Sequence, residues 1–173
     1  MTDPLVPRMR WWGWGVDGHD ASLPRAATAL LRDELMSHGL LVNTLETAAT
    51  WTDLTTLHHE VRGALQRALA ARGTPPVVMC HVSHLYPTGA SLYFTFLARG
   101  QRGDELAQWQ AAKQAASEAI SAAGATITHH HAIGRDHAPW LRDEVGALGI
   151  AALQAVKARA DPTGIMNPGK LIP

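Results

Sequence analysis

Apolar positions along the chain follow two periods, and their order outlines a fold. Ser22 before Pro24 marks a helix start, and Leu30, Leu31, Leu35 and Met36 give a short apolar face, predicting a helix over 23–37 that ends near Gly39. An apolar, β-branched run at 40–47 reads as a strand. Leu54, Leu57, Val61, Leu65, Ala68 and Leu69 then recur at helical spacing, predicting a helix over 53–72 that Gly73 stops. Pro75 and Pro76 lead into a strand from Val77 to Val82, and Pro87 with Gly89 turn the chain into Ser91 to Leu97, which makes a hairpin. Leu106, Trp109, Ala116 and Ile120 predict one face of a helix over about 104–122, and a short strand follows from Thr126 into the histidines. Two further helices, near 138–145 and 147–160, close the pattern before Asp161-Pro162.

The order from residue 40 onward is β-α-β-β-α-β. It predicts an α+β fold: a ferredoxin-like, split βαβ antiparallel sheet with flanking and C-terminal helices. Two regions are expected, an arm and helix over 1–38 and a folded domain over 39–173. The arm holds Trp11, Trp12 and Trp14 among glycines and has neither period, so it reads as an extended segment whose indoles stack on a planar ligand, sit at a membrane interface or, the favoured reading, bury against the parent domain.

Composition narrows the classes of partner. A chain of 173 residues can build one real core, and 15 basic residues balance 15 acidic ones, so no net field draws it to nucleic acid or an anionic membrane. The single cysteine, Cys80, excludes an internal disulfide framework and fits the reducing cytoplasm. No stretch approaches the roughly 20 apolar residues a transmembrane helix needs.

The candidate chemistry lies on the hairpin and in the histidines. Leu92, Phe94 and Phe96 alternate with Ser91, Tyr93 and Thr95, so one face of that strand packs on helices and the other is polar. That polar face is either simply wet or the floor of a ligand site, with Tyr93 as hydroxyl donor and acceptor. Six of the ten histidines fall in two clusters, His81 and His84, then His129, His130, His131 and His137. On a strand, His129 and His131 share one face and His130 takes the other. A His-x-His pair can bind zinc, but it needs a third protein ligand, and no carboxylate or cysteine stands at a suitable spacing, so no metal is expected. Gly134-Arg135 allows a tight turn that would bring a guanidinium near the imidazoles and lower their pKa. Asp161-Pro162-Thr163-Gly164 and Asn167-Pro168-Gly169-Lys170 read as two turns at the end of the chain.

Four motifs in order carry a resemblance: His81-Val82-Ser83-His84-Leu85-Tyr86, Gly89-Ala90-Ser91-Leu92-Tyr93-Phe94, His129-His130-His131-Ala132-Ile133-Gly134, and Asp161 through Lys170. Over about 39–173 the chain resembles the C-terminal domain of FAD-linked oxidases of the vanillyl-alcohol oxidase type. The histidine triplet and tyrosine hairpin resemble the alkyldihydroxyacetonephosphate synthase branch, as does Arg10-Trp11-Trp12-Gly13-Trp14-Gly15 in the arm.

The resemblance implies exchange of an acyl group on dihydroxyacetone phosphate for a fatty alcohol, through a covalent adduct with the flavin and without net redox change. It implies that Tyr93 and His129, His130 and His131 are catalytic, with a histidine taking the substrate's carbon-bound proton and the tyrosine orienting the substrate. Arg135 and His81 are expected to bind substrate, and Asn167 and Lys170 to lie near the FAD. The domain whose glycine-rich loops hold the flavin phosphates in such proteins has no counterpart in this sequence. A seam is therefore expected near Asp33 to Gly39, with FAD supplied by a separate FAD-binding domain or through a homodimer. The competing readings are a non-catalytic ferredoxin-like module that binds a protein or small ligand, and a zinc hydrolase.

Overall fold

The computed structural model describes residues 25–172, so the tryptophan arm lies outside the described residues. The chain runs α1 (Arg25–Ser37), β1 (Leu40–Thr50), α2 (Leu54–Ala70), β2 (Val77–Tyr86), β3 (Gly89–Arg99), α3 (Glu105–Ala122) and α4 (Ala138–Ala160). The expected α+β architecture is present.

β3 is the central strand, antiparallel to both neighbours, in the order β1-β3-β2. Its alternation sorts the two faces of the sheet. Leu92, Phe94 and Phe96 join Leu41, Leu45 and Val78 in one buried cluster with Leu57, Val61, Leu65 and Leu69 of α2 and Ala112, Ala116 and Ile120 of α3. Each fully buried large side chain of this kind contributes about 1.5–3 kcal/mol over exposure. The strands run longer than the apolar runs alone predict because hydrogen bonding continues to the turn. Trp51 N–H donates to the Thr88 carbonyl at 3.2 Å, and its indole N–H reaches the Pro87 carbonyl at 3.2 Å. Gly89 permits this closeness, since a Cβ there would lie 2.0 Å from the Ala49 carbonyl oxygen.

The fourth strand is reduced to a single bridge, Ala48 to Thr126, on the free edge of β1. Thr126 N–H donates to Ala48 O at 3.2 Å and His129 N–H to Glu46 O at 3.0 Å. This keeps the ferredoxin-like order, with the last segment beside β1. Pairing stops because His130 and Ala132 take left-handed backbone angles, φ 62 and 61, which no strand accommodates.

α3 departs from the predicted face. Leu106 is exposed, whereas Gln108 is fully buried, at the head of the stripe Gln108, Ala112, Ala116, Ile120. The two C-terminal helices appear as one run broken at Gly146, whose φ of 71 and ψ of 172 are non-helical. No helix among the described residues is long and apolar enough to cross a membrane.

Candidate functional site

The face of the sheet turned away from α2 and α3 carries the site. β3 and β1 place Tyr93 opposite Glu46, and β3 and β2 place Tyr93 opposite His81. The register of β2 shifts between Val82 and His84. Such a bulge adds a residue and turns neighbouring side chains to one face, which is how Ser83 and His84 both reach Ser91. The Ser83 and Ser91 hydroxyls are 2.6 Å apart, and His84 Nδ1 is 3.3 Å from Ser91 Oγ.

Glu46 is the buried centre of this face. Its side chain is only 3% exposed; Oε1 lies 3.4 Å from His84 Nδ1 and 3.3 Å from His129 Nδ1, and Oε2 lies 3.9 Å from His131 Nε2. Ser83 donates a short hydrogen bond to Oε1. Burial alone would raise the pKa of this carboxyl. The Ser83, His129 and Ser91 interactions together outweigh burial and hold it below the usual value.

The loop divides the triplet differently from a strand. His129 and His130 stay together, ring centres 4.0 Å apart, with His84 4.5 Å from His130. The Tyr86 hydroxyl is 3.0 Å from His129 Nε2. His131 turns to Tyr93, ring centres 5.4 Å apart and edge to face, while His81 stacks on Tyr93 at 5.1 Å. The expected alternation of His129 and His131 against His130 fails because the left-handed residues rotate each successive side chain by a different amount from a pleated strand.

His137 braces this loop from α4. Its Nδ1 lies 3.1 Å from the Ala132 carbonyl, and its Nε2 is 3.4 Å from Lys113 Nζ. Burial lowers the pKa of both His137 and Lys113. On β2, burial pushes the Cys80 thiol up to about 12, so it stays a protonated packing group.

Beyond Tyr93 the open face continues into a groove of about 490 Å³ under α1, lined by Leu31, Leu35, Val42, Met79 and Leu97. The groove is mostly apolar, and Tyr93 forms its end toward the histidines.

The tail residues gather elsewhere. Leu171 N–H donates to the Gly134 carbonyl at 2.8 Å, and the Arg135 guanidinium faces Gly169, where a Cβ would sit 3.8 Å from it. The Gly134-Arg135 turn therefore ties down the tail. Asn167 and Lys170 close the exposed turn, joined by a 3.2 Å backbone hydrogen bond. Asp161 organises the preceding turn, accepting from Ile165 N–H at 3.1 Å and Met166 N–H at 3.0 Å. Its carboxyl is held below the ordinary range first by the Lys157 ammonium and then by these amides, against the effect of burial.

These residues do not form a cradle for the FAD pyrophosphate. α2 and α3 begin at Asp53 and Asp104, whose carboxylates repel phosphate, and α4 is capped by His137 with Pro139 in its first turn. The loop from β3 into α3 does carry Gly100 and Gly103, but it ends on the Asp104 carboxylate, which opposes a phosphate at that helix start.

Glu46, Ser83, His84, Ser91 and Tyr86 complete the site. Glu46 was hidden because its partners come from other strands. The available signal was a carboxylate at a position whose alternation faces Ser91 and Tyr93.

Residues 21–171 match the family described as FAD linked oxidases, C-terminal domain. The chain is 32% identical over 143 residues to an alkyldihydroxyacetonephosphate synthase of Dictyostelium discoideum, covering 83% of this chain and 23% of that protein. It is 36% identical over 150 residues to the synthase of Caenorhabditis elegans, covering 84% of this chain and 25% of that protein. A solved structure of alkyldihydroxyacetonephosphate synthase superposes with a TM-score of 0.60 at 24% identity, over 84% of this chain and 23% of the other. The chain thus spans about a quarter of the length of these relatives.

Proposed function

Because the chain belongs to the C-terminal domain family of FAD linked oxidases, we propose that it is the substrate-side domain of such an enzyme and handles a lipid-like substrate. The observation that carries this reading is the continuity of the open face: the apolar groove ends at Tyr93, and Tyr93 touches both His81 and His131. An alkyl chain in the groove sets its polar end at the tyrosine hydroxyl and the imidazoles.

In this reading Tyr93 orients an oxygen of the substrate, with His81 as a further substrate contact, while Arg135 sits with the tail at Gly169. His131 takes a carbon-bound proton, and the Glu46 carboxylate, 3.9 Å from its Nε2, stabilises the imidazolium that results. Glu46 is a positioning residue. His129 and His130 complete the polar wall. The relatives are named for making an alkyl dihydroxyacetone phosphate, and the substrate in this reading is an acylated dihydroxyacetone phosphate that exchanges its acyl group for a fatty alcohol, a step of ether lipid synthesis. FAD enters from a separate domain or a second copy of the chain, with Asn167 and Lys170 toward it. Exposed Leu148, Val156, Ile165 and Met166 on α4 and the tail are apolar surface for that partner to cover. The lone cysteine favours the cytoplasm as the compartment.

Titration with an acyl dihydroxyacetone phosphate, followed by the histidine and tyrosine ring signals in NMR, tests the reading. Saturable shifts at Tyr93 and His131 are expected, and Thr95→Lys, which places an ammonium in the groove, abolishes them. Absence of shifts, or shifts that survive Thr95→Lys, contradicts it.

A further inference from the structure

The expectation of no metal rested on a missing third ligand beside the histidine triplet, and the fold supplies one from β1. Glu46, His84, His129 and His130 each offer a ligand atom within 4.8 Å of the others. We infer that these four side chains form a binding site for a first-row divalent cation, with zinc the best fit.

Distance supports the assignment. Zinc bonds of about 2.0–2.1 Å in a tetrahedral site place neighbouring ligand atoms about 3.4 Å apart. Glu46 Oε1 is already 3.4 Å from His84 Nδ1 and 3.3 Å from His129 Nδ1. Modest rotation of exposed His130 brings in the fourth.

An unpaired atom points the same way. His129 Nδ1 is buried with no hydrogen-bond partner, although it lies 3.3 Å from the carboxylate oxygen. The ring's other nitrogen is engaged with the Tyr86 hydroxyl. In the tautomer with its proton on Nε2, the Nδ1 lone pair and the carboxylate oxygen converge as two ligands of one cation do. The surroundings have the form of an outer shell: Ser83 holds the carboxylate and Tyr86 fixes the His129 ring.

Donor type selects the ion. Three imidazoles and one carboxylate oxygen suit zinc and its first-row neighbours, whereas calcium and magnesium take oxygen-only shells. The ion has a route in, because the His84 side chain is 44% exposed. His131 and Tyr93 lie outside the four ligands and stay available to a substrate.

The test uses the tag-free full chain, stripped with EDTA and desalted. Calorimetric titration with Zn2+ and visible absorbance on adding Co2+ are both expected to show one equivalent bound. His84→Ala changes an exposed side chain, so the fold survives, as circular dichroism can verify. It weakens binding at least about tenfold, the lower end of the loss caused by removing even an outer-shell partner. Glu46→Gln does the same where it folds, and His38→Gln, on exposed α1, binds as the parent does. No saturable binding by the parent, or parent-strength binding by His84→Ala, overturns the site.

Discussion

Gly89 and Gln108 show how much single side chains decide in this molecule. A Cβ on Gly89 would stand 2.0 Å from the Ala49 carbonyl oxygen, so Gly89→Ala must push β1 and the hairpin apart. Overpacking of this sort costs about 1–3 kcal/mol, and chemical denaturation should place Gly89→Ala at the upper end. Gln108 is buried with all its polar groups used: its side-chain oxygen accepts from Gln101 N–H at 3.1 Å, and its amide donates to Thr74 Oγ1 at 2.7 Å and Arg99 O at 2.8 Å. Gln108→Leu takes this partner from Gln101 N–H and Arg99 O, while Thr74 Oγ1 keeps its bond to the Leu69 carbonyl. Each buried unsatisfied group costs about 1–3 kcal/mol, so the variant should lose at least 1 kcal/mol (about a fivefold smaller folding constant) despite its greater hydrophobicity. An unchanged denaturation midpoint would refute this.

At the scale of elements, the apolar period located the strands and the helices, including the break at Gly146, because each element buries one face on one core. The period misjudged α3. It ranked Leu106 above Gln108 by hydrophobicity, whereas the burying stripe begins at Gln108, whose polar groups bind the β3 end and the loop after α2. The histidine segment was misjudged similarly: a Thr-Ile-Thr run reads as a strand, but the pairing ends after one bridge and left-handed residues at His130 and Ala132 follow. Tyr93, His81 and the triplet were visible in sequence because they cluster in motifs. Ser83 and Ser91 stood in the same motifs without a role and Glu46 stood outside them, since only the sheet register and the β2 bulge bring the three together. At Gly146 the φ of 71 with ψ of 172 is a conformation that glycine alone takes easily. Gly146→Ala should therefore destabilise the chain by about 1–3 kcal/mol, seen as a lower midpoint in urea.

Across the whole molecule, the helix-backed core is complete while the opposite face of the sheet carries the groove and the histidines. The loop that presents His131 depends on His137, which is packed between the Ala132 carbonyl and Lys113, with Asp136 and His131 as its other charged neighbours. Its pKa in the folded state lies below the ordinary 6.5. The unfolded chain therefore takes up the proton first, and the stability contributed by neutral His137 is present above pH 6.5 and lost as the pH falls below it. The thermal midpoint should drop from pH 7 toward pH 5, and His137→Asn should reduce that slope; a midpoint that rises over this window contradicts the assignment.

The described residues offer an open face with a groove and histidines, and the helix starts at Asp53 and Asp104 oppose phosphate. The most direct measurement is the visible absorbance of the purified chain after incubation with FAD and desalting. A colourless protein is the predicted result and fits a substrate-side domain whose flavin is held by a partner domain. Flavin retained at one equivalent per chain would contradict that account.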